Sequence, residues 1–174
     1  MAEYVFQKLS DESISKIIAS EDKLIICLAL DDDGVWYSDL YENEHDIRLQ
    51  EHQIPQFDGA EGDGDLAFDG FGGDFTEKLA NPLTENPDDS PIYKILFGKY
   101  NTGIEWGYSE VMLANSTELA DALNQMKSID PDVYKKAFPG EDTLVRELED
   151  TFTAIVNGLE ILVAEKCGVA VYYN

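Results

Sequence analysis

Closely spaced carboxylates are the feature of this chain best suited to chemistry, and four of them lie together: Glu61, Asp63, Asp65 and Asp69. Their oxygens are the ligands that a hard cation such as Ca²⁺ prefers, in sets of about six to eight. The segment departs from the EF-hand pattern, because Leu66 stands where that loop needs glycine and Gly72 where it needs glutamate. The pattern therefore favours a solvated acidic loop, with a Ca²⁺ site as the alternative.

No catalytic motif accompanies these carboxylates. The sequence contains no nucleophile elbow, phosphate loop, dinucleotide-binding glycine motif, zinc-binding histidine pair or Cys–His nucleophile arrangement. Gly70 to Gly73 superficially resembles a phosphate loop, but Asp69 and Asp74 flank it and would repel phosphate. We therefore expect a protein that is not an enzyme and that carries no cofactor.

Acidic residues dominate the surface chemistry that remains. The chain has 174 residues and a net charge of −24. Eighteen acidic side chains lie between Asp31 and Ser90, and only Arg48 and Lys78 oppose them. This charge opposes direct binding to DNA, RNA or anionic membranes and favours a basic protein, a metal cation or a polyamine. Solubility alone, or adaptation to salt, also accounts for such acidity.

The predicted partner-binding face draws on the acidic half of the chain. Trp36 and Tyr37 add aromatic side chains of the kind that are enriched in protein interfaces. The acidic members of this face are Asp31, Asp32, Asp33, Asp39, Glu42, Glu44, Asp58, Glu61, Asp63, Asp65, Asp69 and Asp74.

The cysteines and the first residues of the chain indicate in which cellular compartment we expect the protein. Cys27 lies in an apolar run and Cys167 precedes Gly168, and neither has metal-binding spacing, so both are predicted to be buried, reduced thiols. No signal peptide is visible, and no apolar run approaches the roughly 18 residues that cross a bilayer. We therefore expect a soluble, cytoplasmic protein.

Apolar periodicity predicts the elements that position these residues. Ser10 to Ser20 is typical of a capped helix, and Lys23 to Leu30 of a buried strand. Residues 58–74 are predicted to be a Gly/Asp-rich loop, because six of the seventeen are glycine. The prolines of residues 81–91 indicate a connection.

The second half is more regular. Asn115 lies three residues before Glu118 and predicts a helix start, and Asp130 begins a shorter helix. Asp142 to Lys166 predicts a long helix, Gly168 a stop signal, and Val169 to Tyr173 a final strand. Together these elements predict one α+β domain over residues 1–174, with a small mixed sheet packed with several helices.

The sequence from Trp106 to Leu123, in which a glycine- and aromatic-bearing segment leads into a capped helix, resembles the YfbM-like bacterial family of unknown function. Ile92 to Gly98, Asp130 to Phe138 and Glu141 to Tyr173 match the same family pattern, so the resemblance covers about residues 91–174. It implies a small α+β domain and no catalytic residues.

Three functional hypotheses follow. The leading one is a non-enzymatic acidic domain that binds a basic protein, in its most concrete form an immunity or inhibitor protein that neutralises a basic toxin or nuclease. The second is a DNA mimic that occupies a DNA-binding protein. The third is a small ligand-binding domain or enzyme of unknown substrate, with a pocket between the capped helix at Ser116 and the last strand.

Overall fold

The computed structural model describes residues 3–19, 66–69, 73–97, 100–106 and 109–173. Over these ranges the chain forms five strands and six helices, with 3₁₀ turns at Asn81–Leu83 and Pro87–Asp89. Their bounds are β1 Glu3–Ser10, α1 Asp11–Ala19, β2 Leu66–Asp69, α2 Gly73–Ala80, α3 Pro91–Leu96, β3 Tyr100–Trp106, β4 Ser109–Ala114, α4 Ser116–Lys127, α5 Val133–Ala137, α6 Asp142–Glu165 and β5 Cys167–Tyr173.

The strands form one sheet in the order β2-β1-β5-β4-β3. The central strand β5 pairs with β1 from Tyr4↔Tyr173 to Ser10↔Cys167 and with β4 on its other side. Every described pairing is antiparallel. The α+β class, and a long helix followed by a final strand, are confirmed; the sheet, predicted to be mixed, is antiparallel wherever it is described.

The two faces of the sheet are covered unequally. Successive side chains of a strand point to opposite faces. Val169 and Val171 accordingly join a large apolar cluster with helices α2, α3, α4 and α6, whereas Ala170 joins a smaller one with Ile14 and Ile17 of α1. The thick helical layer therefore lies on one face and α1 on the other.

The helices that were predicted from caps and apolar periodicity are confirmed. Ser10 Oγ accepts a hydrogen bond from the Ser13 amide at 3.1 Å, as expected of a residue that caps α1. The Asn115 side chain and Glu118 form a reciprocal capping box at the start of α4. The predicted stripe of α6 packs in the large cluster through Leu144, Leu148, Phe152, Ile155, Leu159 and Leu162.

The predicted loop at residues 58–74 is wrong where the structure describes it. Leu66–Asp69 is a strand that pairs with β1 from Phe6 to Glu3, and α2 begins at Gly73. Residues 66–69 contain none of the glycines on which the loop prediction rested. Pairing with them supplies hydrogen-bond partners to the backbone groups along one edge of β1. Residues 58–65 and 70–72, and the predicted strand Lys23 to Leu30, lie outside the described residues.

Gly168 does not end the long helix. Lys166 adopts the left-handed conformation at the C-terminus of α6, with φ 57°, and Gly168 is a buried residue of β5. A Cβ at Gly168 would lie 2.5 Å from the Ala114 carbonyl oxygen and would overlap Ile14 Cδ1. Close packing, and not chain termination, therefore requires glycine here.

Within the described ranges, no helix combines the length and the apolar character needed to cross a membrane.

Candidate functional site

Helix α3 presents two aromatic rings on its outer face. Ile92, Ile95 and Leu96 are buried in the large cluster and hold the helix against the core. Tyr93 and Phe97, four residues apart, share one flank of the helix, and Tyr93 is partly buried against the same cluster. Their rings stack with centroids 5.5 Å apart at an interplanar angle of 27°. Phe97 is 52% exposed, so its ring is accessible to solvent.

These rings form one wall of an open groove of about 730 Å³, which we call the Tyr93 groove. Helix α2, the turn Pro87–Asp89 and the start of β1 supply the other walls. The side chains that define its chemistry are Tyr4, Glu77, Asn81, Asp88, Tyr93 and Phe97.

The groove combines aromatic faces with negative charge. Burial raises the pKa of Tyr93, and the carboxylates of Glu77 and Asp88 contribute to the same rise in its pKa. The Tyr93 hydroxyl donates to Asn81 Oδ1 at 2.9 Å, which fixes the ring. Lys94 also lines the groove, but its Nζ donates to Gln125 Oε1 at 3.5 Å, and Gln125 is not a lining residue.

Four exposed carboxylates form what we call the acidic face: Glu77 and Asp88, which line the groove, and Glu85 and Asp89, which are close to Asp88 in sequence. Among the described residues, no lysine or arginine forms an ion pair with any of them. The lysines that do form ion pairs do so with other carboxylates of the chain: Lys8, Lys16, Lys78, Lys127, Lys135 and Lys136.

Only two residues of the predicted partner-binding face are described. Asp74 is exposed in the first turn of α2, and its carboxylate accepts from Lys78 Nζ at 2.7 Å, so its charge is matched internally. Asp69 lies in β2, opposite Glu3. The remaining members lie outside the described residues: Asp31, Asp32, Asp33, Trp36, Tyr37, Asp39, Glu42, Glu44, Asp58, Glu61, Asp63 and Asp65.

The described part of the chain offers no preformed metal centre. It brings together no group of three or more His, Cys, Asp or Glu side chains placed to hold an ion. Because Glu61, Asp63 and Asp65 lie outside that part, the Ca²⁺ alternative stays a prediction. Cys167 is a half-buried free thiol, and burial raises its pKa, which disfavours the reactive thiolate.

The space between Ser116 and the last strand is packed. The Ser116 backbone amide and hydroxyl both donate to the Asp11 carboxylate, the amide at 2.8 Å. Beneath them, Gly168 lies so close to Ala114 and Asn115 that even a Cβ has no room. The packing leaves no room for a ligand at this contact, and the hypothesis of a small ligand-binding domain or enzyme stays a prediction.

A second cavity, of about 490 Å³, lies between the end of α4, the start of α5 and α6. Its walls are mainly apolar, with Met126, Val133 and Phe152 among them. Its charged residues are paired within the chain, since Lys135 contacts Glu149 at 3.4 Å and Lys127 contacts Glu160 at 2.7 Å. It therefore lacks the unmatched charge of the Tyr93 groove.

The residues of the groove were not singled out from the sequence. One signal was present: the acidic run continues through Asp88 and Asp89, directly before a helix with aromatic residues at Tyr93 and Phe97. Tyr4 carried no such signal, because it reaches the groove only through the pairing of β1 with β5.

No family model matches the chain, and no curated protein matches it in sequence. Among solved structures it is similar to the crystal structure of YfbM, a protein of unknown function from Escherichia coli. The similarity covers 98% of each chain with a TM-score of 0.55 and 12% sequence identity. The resemblance predicted for residues 91–174 is thus confirmed as a shared fold, and it extends well beyond that half.

Proposed function

We propose that this protein, which has the fold of YfbM, is a non-enzymatic acidic domain that binds a basic protein in the cytoplasm. In its most specific form it is an immunity or inhibitor protein that neutralises a basic toxin or nuclease. The observation that supports this proposal is the acidic face, where Glu77, Glu85, Asp88 and Asp89 form no ion pair with any described lysine or arginine.

The contrast with the rest of the described surface gives this observation its weight. Most described lysines lie within ion-pair distance of a carboxylate, among them Lys8 with Glu165 at 2.9 Å and Lys127 with Glu160 at 2.7 Å. Most described lysines are thus paired with carboxylates outside the acidic face, and none of them pairs with the acidic face itself. An unmatched field of one sign steers an oppositely charged protein and accelerates its association.

Capture of the partner tests the proposal. The full chain is immobilised at about 50 mM salt, where screening is weak, and exposed to an extract of the organism that makes it. A captured basic protein is then purified, and its Kd for the full chain is measured from low to high salt. The proposal predicts a Kd that rises steeply with salt. A captured partner that is not basic, or a Kd independent of salt, overturns it.

Matched variants assign the effect to the acidic face. Neutralising two of its members outside the groove, Glu85→Gln with Asp89→Asn, should weaken binding. The control, Glu147→Gln with Asp150→Asn, removes the same charge from exposed positions of α6. Equal losses in both variants contradict a localised face. Competition between duplex DNA and this protein for the partner would identify the DNA-mimic form of the hypothesis.

A further inference from the structure

We infer that the Tyr93 groove receives an arginine side chain of the basic partner. The inference rests on the proposed function and assigns a chemical identity to one contact of that interface. The observation that carries it is the coincidence, in one open groove, of a stacked aromatic pair and two exposed carboxylates that form no ion pair with any described lysine or arginine.

The aromatic pair supplies the flat surface. A guanidinium group is planar and weakly hydrated, and it binds over aromatic faces through cation–π and stacking contacts. Phe97 is 52% exposed, and Tyr93 is held in place by its hydrogen bond to Asn81 at 2.9 Å. An occupant would cover the exposed ring and remove apolar surface from water.

The carboxylates supply the charge and the hydrogen-bond acceptors. Glu77 and Asp88 both line the groove, and both raise the pKa of Tyr93, so their field reaches the ring that the occupant would cover. A carboxylate accepts two parallel N–H bonds from one guanidinium, which an ammonium group cannot match. Lys94 also lines the groove, but its Nζ lies 3.5 Å from Gln125 Oε1 on α4 and forms no ion pair with Glu77 or Asp88.

Two synthetic peptides test this inference: acetylated and amidated hexa-arginine, and the corresponding hexa-lysine. Their charge is equal, so steering treats them alike. Each is titrated by calorimetry against the full chain at low salt. We expect the arginine peptide to bind at least threefold more tightly. Equal binding of the two peptides overturns the groove assignment and leaves the proposed function standing. If neither peptide binds at low salt, the result counts against the groove assignment and against the proposed function.

Variants separate the groove from the acidic face around it. Phe97→Leu keeps apolar bulk and removes the ring, and Glu77→Gln with Asp88→Asn removes both carboxylate charges and with them the bidentate contact to a guanidinium. Both should abolish the preference for arginine. The charge-matched control Glu85→Gln with Asp89→Asn should weaken both peptides equally and retain the preference. Far-ultraviolet circular dichroism identifies any variant that has lost the fold. A preference that survives both groove variants in folded protein overturns the inference.

Discussion

At the scale of the residue, Gly168 leaves no room for a side chain. It lies in β5 opposite Leu9, with the end of β4 and the start of α4 packed against it. Its spacing from the long helix predicted a stop signal, yet the residue that turns the chain is Lys166. The error has a physical basis, because a glycine required for close packing and one required for positive φ look the same in a sequence.

Replacing Gly168 by alanine should destabilise the protein by about 1–3 kcal/mol, because the new methyl group overlaps neighbours on two elements. The Cβ would lie 2.9 Å from Asn115 Cα and 2.5 Å from the Ala114 carbonyl oxygen. Urea unfolding at neutral pH measures the change. Ile14→Ala is destabilising on its own because Ile14 is buried, but Gly168→Ala should cost less in that background, since Ile14 Cδ1 is the one side-chain obstacle. An unchanged free energy of unfolding for Gly168→Ala contradicts this packing.

Tyr134 connects two helices of the helical layer, α5 and α2. Its buried hydroxyl donates to the Leu79 carbonyl at 2.8 Å, and its ring meets Phe152 edge-on. Tyr134→Phe keeps the ring and removes the donor, so it should cost about 1 kcal/mol at neutral pH. Urea unfolding measures the loss. If Tyr134→Phe is as stable as the parent protein, this hydrogen bond contributes nothing to stability.

The same residue gives the stability an alkaline dependence. Burial raises the pKa of Tyr134 far above its ordinary value of 10.0. Above that value the unfolded chain releases a proton that the folded chain keeps, so the free energy of unfolding falls as pH rises. The decline should be shallower in Tyr134→Phe, though not absent, because burial also raises the pKa of Tyr4 and Tyr93. Unfolding curves from neutral to strongly alkaline pH measure both slopes, and identical slopes contradict the prediction.

At the scale of the element, the start of α4 is the most completely specified piece of the chain. Asn115 Oδ1 accepts from the Glu118 amide at 3.0 Å, and Glu118 Oε2 accepts from the Asn115 amide at 2.8 Å. Asn115→Ala should therefore cost about 1 kcal/mol. The control is Asn124→Ala on the exposed side of the same helix. Denaturant unfolding of both variants decides the matter, and equal effects would argue against the cap.

Elements were predictable where their signals are local. The caps and apolar stripes of α1, α4 and α6 lie within the helices themselves, and a helix closes its hydrogen bonds internally. The strands β1, β2, β3 and β4 were not predicted, because their partners are distant in sequence: β1 pairs with β5 across more than 150 residues. Their residues acquire strand character from the neighbouring strand.

At the scale of the whole molecule, the excess negative charge opposes folding. The net charge is −24, and no described lysine or arginine forms an ion pair with the acidic face. Added salt screens this repulsion, so the urea midpoint should rise from low to high NaCl. KCl should act equally, because screening depends on ionic strength and not on the ion. A midpoint that falls with salt, or that responds to only one of the two salts, contradicts this account.

The charge of the candidate site could be predicted from the sequence, whereas its groove could not. The acidic run identified the half of the chain that carries the unmatched charge, including Asp88 and Asp89. Assembly of the groove depends on tertiary structure, since Tyr4 and Tyr93 come from separate elements and meet across the start of the sheet. Charge is additive along a sequence, whereas a groove requires packed elements.

The rate at which the captured basic partner associates with this protein tests the central claim most directly. Stopped-flow or biosensor measurements give the association rate constant from about 20 mM to about 500 mM NaCl, a range over which screening becomes strong. The account predicts that this constant falls by about tenfold or more, and less steeply for Glu85→Gln with Asp89→Asn. An association rate constant that is the same at both salt concentrations would contradict it.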